Sequence, residues 1–200
     1  MLYSWTSRLN YILYNVMALL FVAGVLNHVT VRWGHHIGLR SKAIGLDPSE
    51  ITFELKKVDQ FLMDRYFKED AMSFMFDLNV DLTPLMNWNT HTIFAAVVCE
   101  FNSNGEQSSV TVWDQRVVRT ATEHHHIDLT NEHVEYYLTD INKSLKETDV
   151  TVYFRWEHMS TFGSYYGDMV EIGTFKAPKK YLGDSKRQFT PGPPSRNINY

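Results

Sequence analysis

Residues 11–31 read YILYNVMALLFVAGVLNHVTV and hold no Lys, Arg, Asp or Glu. A helix crosses a hydrocarbon layer of about 30 Å with about 20 residues, so this stretch is long enough to span. Tyr3, Trp5, Tyr11 and Tyr14 flank it on one side and Trp33 on the other, as aromatic belts at the two interfaces require. Asn27 and His28 fall at the far interface, whereas Asn15 lies inside the span and calls for a polar partner there. Arg8 before the apolar run and the small residues Val22-Ala23-Gly24 resemble a cleavable signal sequence. The sequence includes this segment from Met1 onward, and a soluble helix would show a charged face. A retained anchor is the expectation. The chain then divides into residues 1–10, a transmembrane helix over 11–31, a domain over 32–182 and a polar tail over 183–200.

From residue 51 the pattern has period two. Ile51, Phe53 and Leu55 alternate with Thr52, Glu54 and Lys56, and Phe74, Phe76, Leu78, Val80 and Leu82 alternate with Ser73, Asp77, Asn79 and Asp81. Val150, Val152, Phe154 and Trp156 do the same against Thr151, Tyr153, Arg155 and Glu157. Alternation of this kind puts one face of a strand on a core and the other in water. Thr92 to Phe101 is apolar on both faces, as a central strand is, and it ends at the turn signal Asn102-Ser103-Asn104-Gly105. A further strand is expected near Ser109 and a last one over 169–175. Six or seven short strands predict an all-β fold, an antiparallel β-sandwich behind a single N-terminal transmembrane helix. Residues 121–147 break the alternation and are expected to hold a helix or a long loop. The tail GDSKRQFTPGPPSRNINY has no periodicity.

A net charge of −4 and no run of Lys or Arg exclude a basic field for nucleic acid. The lone Cys99, in FAAVVCEF, rules out an internal disulfide and reads as a small buried hydrophobe. His124-His125-His126 is the one cluster that suggests a metal, with Glu123, Asp128 and His133 nearby. Adjacent residues of an extended chain point to opposite faces, so only His124 and His126 share a side, and no HExxH or CxxC accompanies them. Asp77, Asn79 and Asp81 imitate the start of a calcium loop, yet Leu82 stands where its glycine belongs. None of GxSxG, SxxK, GxxxxGK[ST] or GxGxxG occurs. The residues predict a chain without catalytic, cofactor or metal sites.

Orientation stays open on the residues alone. Arg32, Arg40 and Lys42 follow the span and only Arg8 precedes it, which places the domain in the cytosol by the positive-inside count. Asn142-Lys143-Ser144, the one N-x-S/T sequon, is a possible glycosylation site and favours translocation.

Four segments, in order along nearly the whole chain, carry a resemblance. They are Ser7-Arg8-Leu9-Asn10 before the anchor, Asn87-Trp88-Asn89-Thr90 before the apolar strand, Val112-Trp113-Asp114-Gln115-Arg116-Val117-Val118, and Asp149-Val150-Thr151-Val152-Tyr153-Phe154-Arg155-Trp156. Together they resemble the third subunit of the eukaryotic signal peptidase complex, its small glycoprotein subunit. The resemblance implies a single-pass protein of the endoplasmic reticulum membrane, with a cytosolic N-terminus and a luminal β-domain. It implies an accessory subunit, itself without catalytic residues, that partners the serine-protease subunit and the other subunits of that complex in the bilayer. Arg8, Asn10, Trp88, Asn89, Trp113, Asp114 and Trp156 become motif or interface candidates, and Trp113-Asp114 the preferred one because a charge follows the indole directly. The family's usual sequon corresponds to Asp149-Val150-Thr151, where aspartate stands here, so a glycan at Asn142 is not carried over by position. Two other readings remain beside it: an anchored module binding luminal glycans or peptides, and a metalloenzyme built on the histidine cluster.

Overall fold

An apolar run without charges and a set of alternating runs should give one bare helix and a two-layered sheet, and a computed structural model shows both. It describes residues 4–33, 46–63, 69–119, 125–161, 163 and 165–182, apart from the side chains of 31–33. Tyr3, Glu123, His124, Arg40, Lys42, the tail over 183–200, and the side chains of Arg32 and Trp33 lie outside that description. Helix α1 (Trp5–Trp33) starts at Ser4, whose Oγ accepts from the Ser7 amide at 3.2 Å and so caps an otherwise orphaned donor. Its large apolar side chains, Leu13, Leu19 and Phe21 among them, are exposed all round. A helix apolar on every face has lipid as its solvent. Asn15 turns its Nδ2 to the Tyr11 carbonyl at 2.7 Å, so the donor that called for a membrane partner is satisfied within the helix.

Among the described residues, eight strands form two four-stranded antiparallel sheets. The first holds β1 (Ile51–Met63), β2 (Asp70–Asp81) and β5 (His126–His133) in that order, with β6 (Leu138–Asp140) also on β2. The second has the order β4 (Glu106–Val118), β3 (Thr90–Ser103), β7 (Asp149–Ser160) and β8 (Tyr166–Lys176). β3 and β4 join through Asn104 and Gly105, at φ 53° and 91°, the conformation that makes Asn-Gly a hairpin signal. The sheets pack face to face through inward rows: Phe74, Phe76, Leu78 and Val80 of β2 against Ile93, Val97, Cys99, Val152, Phe154 and Trp156. Phe74 meets Phe175 edge-on at 5.4 Å, and Phe76 meets Trp113 at 6.5 Å. Such pairs add to the apolar burial that joins the layers.

The helix or long loop expected over 121–147 is not what forms. Among the described residues, β5 and β6 occupy the segment and raise the strand count above the expected six or seven. β5 buries Ile127 fully and Leu129 partly, pairs on one side only, and so leaves a weak apolar signature. Asp77, Asn79 and Asp81 sit on the outer positions of β2. Asp77 pairs with Lys56 at 3.0 Å and accepts from the Asn131 amide, and Asp81 accepts from the Thr83 amide at 2.9 Å.

Truncating Phe154, wholly buried between the sheets, is expected to cost about 3–5 kcal/mol in denaturant unfolding of the detergent-solubilised chain. Gln115→Ala, on the exposed side of β4, should change it by no more than about 0.5 kcal/mol.

Candidate interaction surfaces

The motif Asn87-Trp88-Asn89-Thr90 is a tied turn. The Asn89 amide donates to Asn87 Oδ1 at 2.8 Å and the Asn87 amide to Thr90 Oγ1 at 2.8 Å, so side chains of the motif satisfy its own backbone. Thr90 Oγ1 lies 2.7 Å from His158 Nε2, Asn87 Nδ2 donates to the Tyr166 hydroxyl at 3.2 Å, and the Thr161 amide donates to the Asn89 carbonyl. The turn is thereby locked to the β7–β8 hairpin. With Asn87 and Asn89 held inward, Trp88 is expelled and stands 52% exposed, and Arg119 Nη1 donates to its carbonyl at 2.8 Å.

Trp113 goes the other way. Thr111 pairs with Val98 and Trp113 with Val97, so Val112 is an extra residue in a bulge. The slip turns both Val112 and Trp113 inward, and Trp113 is 3% exposed. It is a core residue rather than a surface open to a partner, and Asp114 beside it is half-buried. Trp156 is likewise core, Asn89 is buried, and Arg8 and Asn10 are exposed on the first turns of α1. The Tyr136 amide donates to the Val112 carbonyl at 3.0 Å and partly covers the β4 edge at the bulge.

The opposite end of the sandwich is tied by Asp140. Ser103 Oγ donates to its Oδ1 at 2.6 Å, and the Ser144 amide and hydroxyl donate to Oδ2 at 2.6 and 2.7 Å. Burial opposes the Asp140 charge, but these bonds with the Asn142 amide outweigh it and hold the carboxyl below the usual carboxylate range. Asn142 itself is exposed, its Nδ2 donating to Ser103 Oγ at 3.0 Å. The sequon thus lies on a rigid turn at the pole away from the helix. His125 and His126 are near Asp81 at the helix-side pole, and among the described residues no three His, Cys, Asp or Glu gather as a metal would need.

The sequence reading missed His158, Thr90, Asn87 and Tyr166 as one network, and Ser103 with Asp140 as another. A histidine at the inward position that continues Val152, Phe154 and Trp156 was the available signal.

His158 is fully buried and stacked on Tyr166 at 4.3 Å. Burial lowers its pKa and outweighs a hydrogen bond to the backbone that acts the other way, so the neutral ring is favoured, with Thr90 Oγ1 and Asn87 Nδ2 beside Nε2. The unfolded chain takes up that proton below about pH 6.5 while the folded chain resists it, so this contribution is whole above that pH and lost as pH falls. Unfolding midpoints between pH 7 and 5 should therefore drop. In His158→Gln the slope should be shallower by up to about 1.4 kcal/mol per pH unit.

The sequence has counterparts among known proteins. The pattern of a family described as signal peptidase subunit matches residues 2–180. The chain is 33% identical to signal peptidase complex subunit 3 of Debaryomyces hansenii over 116 residues, 56% of this chain and 60% of that protein. It is 31% identical to the protein of the same name from Saccharomyces cerevisiae over 142 residues, 66% of this chain and 76% of that one. The Dictyostelium discoideum protein is 24% identical over 150 residues, 74% and 85% of the two chains. The match to the Debaryomyces relative therefore spans less than two thirds of its length. The family match takes in the anchor, the tied Asn-Trp-Asn-Thr turn and all eight strands, and the chain belongs to the signal peptidase subunit family.

Proposed function

We propose that the chain is a non-catalytic subunit of the signal peptidase complex in the endoplasmic reticulum membrane. In this reading it stabilises and positions the serine-protease subunit that cleaves signal peptides from translocated proteins. The observation that carries it is the family match over residues 2–180, an unbroken stretch from the anchor to the last strand. The physics agrees. A protease that cuts beside a bilayer needs its reacting groups held at a fixed height and angle. A cross-braced sandwich on one span supplies a reference of that kind. Sheet edges at β4 and β8 offer backbone groups to which a neighbouring subunit can add strands.

The N-terminus is cytosolic and the sandwich luminal in this proposal. Cations after the span argue the other way, but long domains translocate largely regardless of such charges. The exposed sequon at the pole away from the helix supports the luminal side.

Tagged full-length chain, drawn from microsomes in mild detergent, should bring down a signal-peptidase serine protease, and its depletion should leave secretory precursors uncleaved. A stable complex without that protease would overturn the role. Orientation is read separately. In sealed microsomes the sandwich should resist added protease, and endoglycosidase should shift the mobility of the wild type but not of Asn142→Gln. Digestion of the sandwich in sealed vesicles would reverse the orientation.

A further inference from the structure

The end of α1 is joined to one particular pole of the sandwich. The helix is uncovered over most of its length, but Asn27, Val29 and Thr30 are partly covered. A methyl group built on Gly163, in the β7–β8 hairpin, would stand 3.0 Å from Asn27 Nδ2, and Gly163 has φ +90°. Only glycine combines that backbone with so close an approach. With 29 residues, α1 rises roughly 43 Å at about 1.5 Å per residue, more than the ~30 Å hydrocarbon layer. Its apolar run ends at Asn27, where polar residues resume. The hairpin therefore meets the helix where hydrocarbon gives way to headgroups.

The rim around that hairpin holds large apolar groups that the fold leaves out. Trp88 is 52% exposed and Tyr165 59%, with Val118 and Met159 each more than a third exposed. The pairing register puts them together. Val118 and Met159 flank Thr92 on the two neighbouring strands, and both point from the outer face of the second sheet. Tyr165 donates to Glu157 of that same face, and Trp88 is clamped there by Arg119 through its carbonyl. Half-exposed Trp and Tyr side chains clustered on one rim are informative, unlike scattered apolar residues. Among the described residues, charges near this rim are mixed, Arg119, Arg155 and the two histidines against Asp81 and Glu157, and attraction to anions is not what singles it out.

We propose that this helix-side rim, Trp88, Val118, Met159 and Tyr165, rests in the lipid headgroup layer, with the Trp88 and Tyr165 rings at the interface. The sandwich then has two contacts with the bilayer: the span and the rim. One tether leaves a domain free to tilt, whereas a tether and a rim fix its inclination. Trp and Tyr suit the place, since each joins an apolar body to one polar handle. The contact needs neither a particular side of the membrane nor the protease subunit, so it stands or falls apart from the proposed role.

The full-length chain tests it in phosphatidylcholine vesicles that contain a lipid with a nitroxide on its headgroup. Cys99 is buried, so an introduced cysteine takes the label alone. Val118→Cys carries an environment-sensitive fluorophore at the rim. Ile141→Cys, 80% exposed at the other pole, carries it across the length of β2, whose 12 residues rise roughly 40 Å. The nitroxide should quench the Val118 probe several-fold and leave the Ile141 probe nearly unchanged, both with the chain alone and in the complex purified with its partners. Adding Trp88→Ser should weaken quenching at Val118 when read well below that variant's own melting temperature, because the exposed half of the indole is what meets the interface. Equal, weak quenching of both probes would overturn the proposal. So would quenching at Val118 that disappears in the complex, since a protein partner would then cover the rim, and so would quenching indifferent to Trp88→Ser.

Discussion

The structure depends on one constraint, the burial of β3 on both faces. Its inward row, Ile93, Ala95, Val97, Cys99 and Phe101, closes on the first sheet, while Thr92, Ala96 and Val98 are also buried on the outside. A strand in that position is apolar through its middle and keeps buried polar side chains toward its ends, Thr90, Thr92 and Ser103, and both of its backbone edges must be paired, by β4 and β7. Everything else is arranged around it. The first sheet stacks on its inner side through the Phe74, Phe76 and Trp113 rings.

Hydrophobic packing sets the spacing of the two layers but does little to fix their register along the strands. Polar joints at the two ends supply that. Near the helix, Asn87 ties the connection that follows β2 to Tyr166 at the start of β8, and Thr90 meets His158 near the end of β7. At the far end, Asp140 binds the end of β3 to the segment after β6. Buried polar groups of this kind are costly when unpaired and directional when paired, so they discriminate against slipped pairings that an apolar interface would tolerate.

Much of this was legible in the residues. α1 announced itself by the absence of charge over 11–31, and β2 and β7 by alternation that survives in their burial. The double-sided run of β3 was read as central and is central. What escaped had physical reasons. β5 lies at the edge of the first sheet and has few inward apolar residues, so its sequence reads as polar. The bulge at Val112 shifts the period by one residue, and period is the only guide to which face a side chain takes. That shift sends Trp113 inward although Asp114 follows it. Trp88 stands out because of bonds between Asn87, Asn89 and Thr90 that no hydropathy pattern encodes. The family resemblance located the Trp88 and Trp113 segments without distinguishing core from surface.

Burial of the central strand has a consequence for oxidation chemistry. Cys99 is fully buried, and burial pushes its thiol up to about 12. The thiolate is the reactive form in disulfide exchange, and at neutral pH this sulfur holds almost none of it and offers no approach. The folded domain is therefore indifferent to the redox poise of its surroundings. It has no bridge to lose in a reducing compartment and no accessible thiol to cross-link in an oxidising one. Exposure is confined to the interval before β3 is paired, so folding itself is the protection.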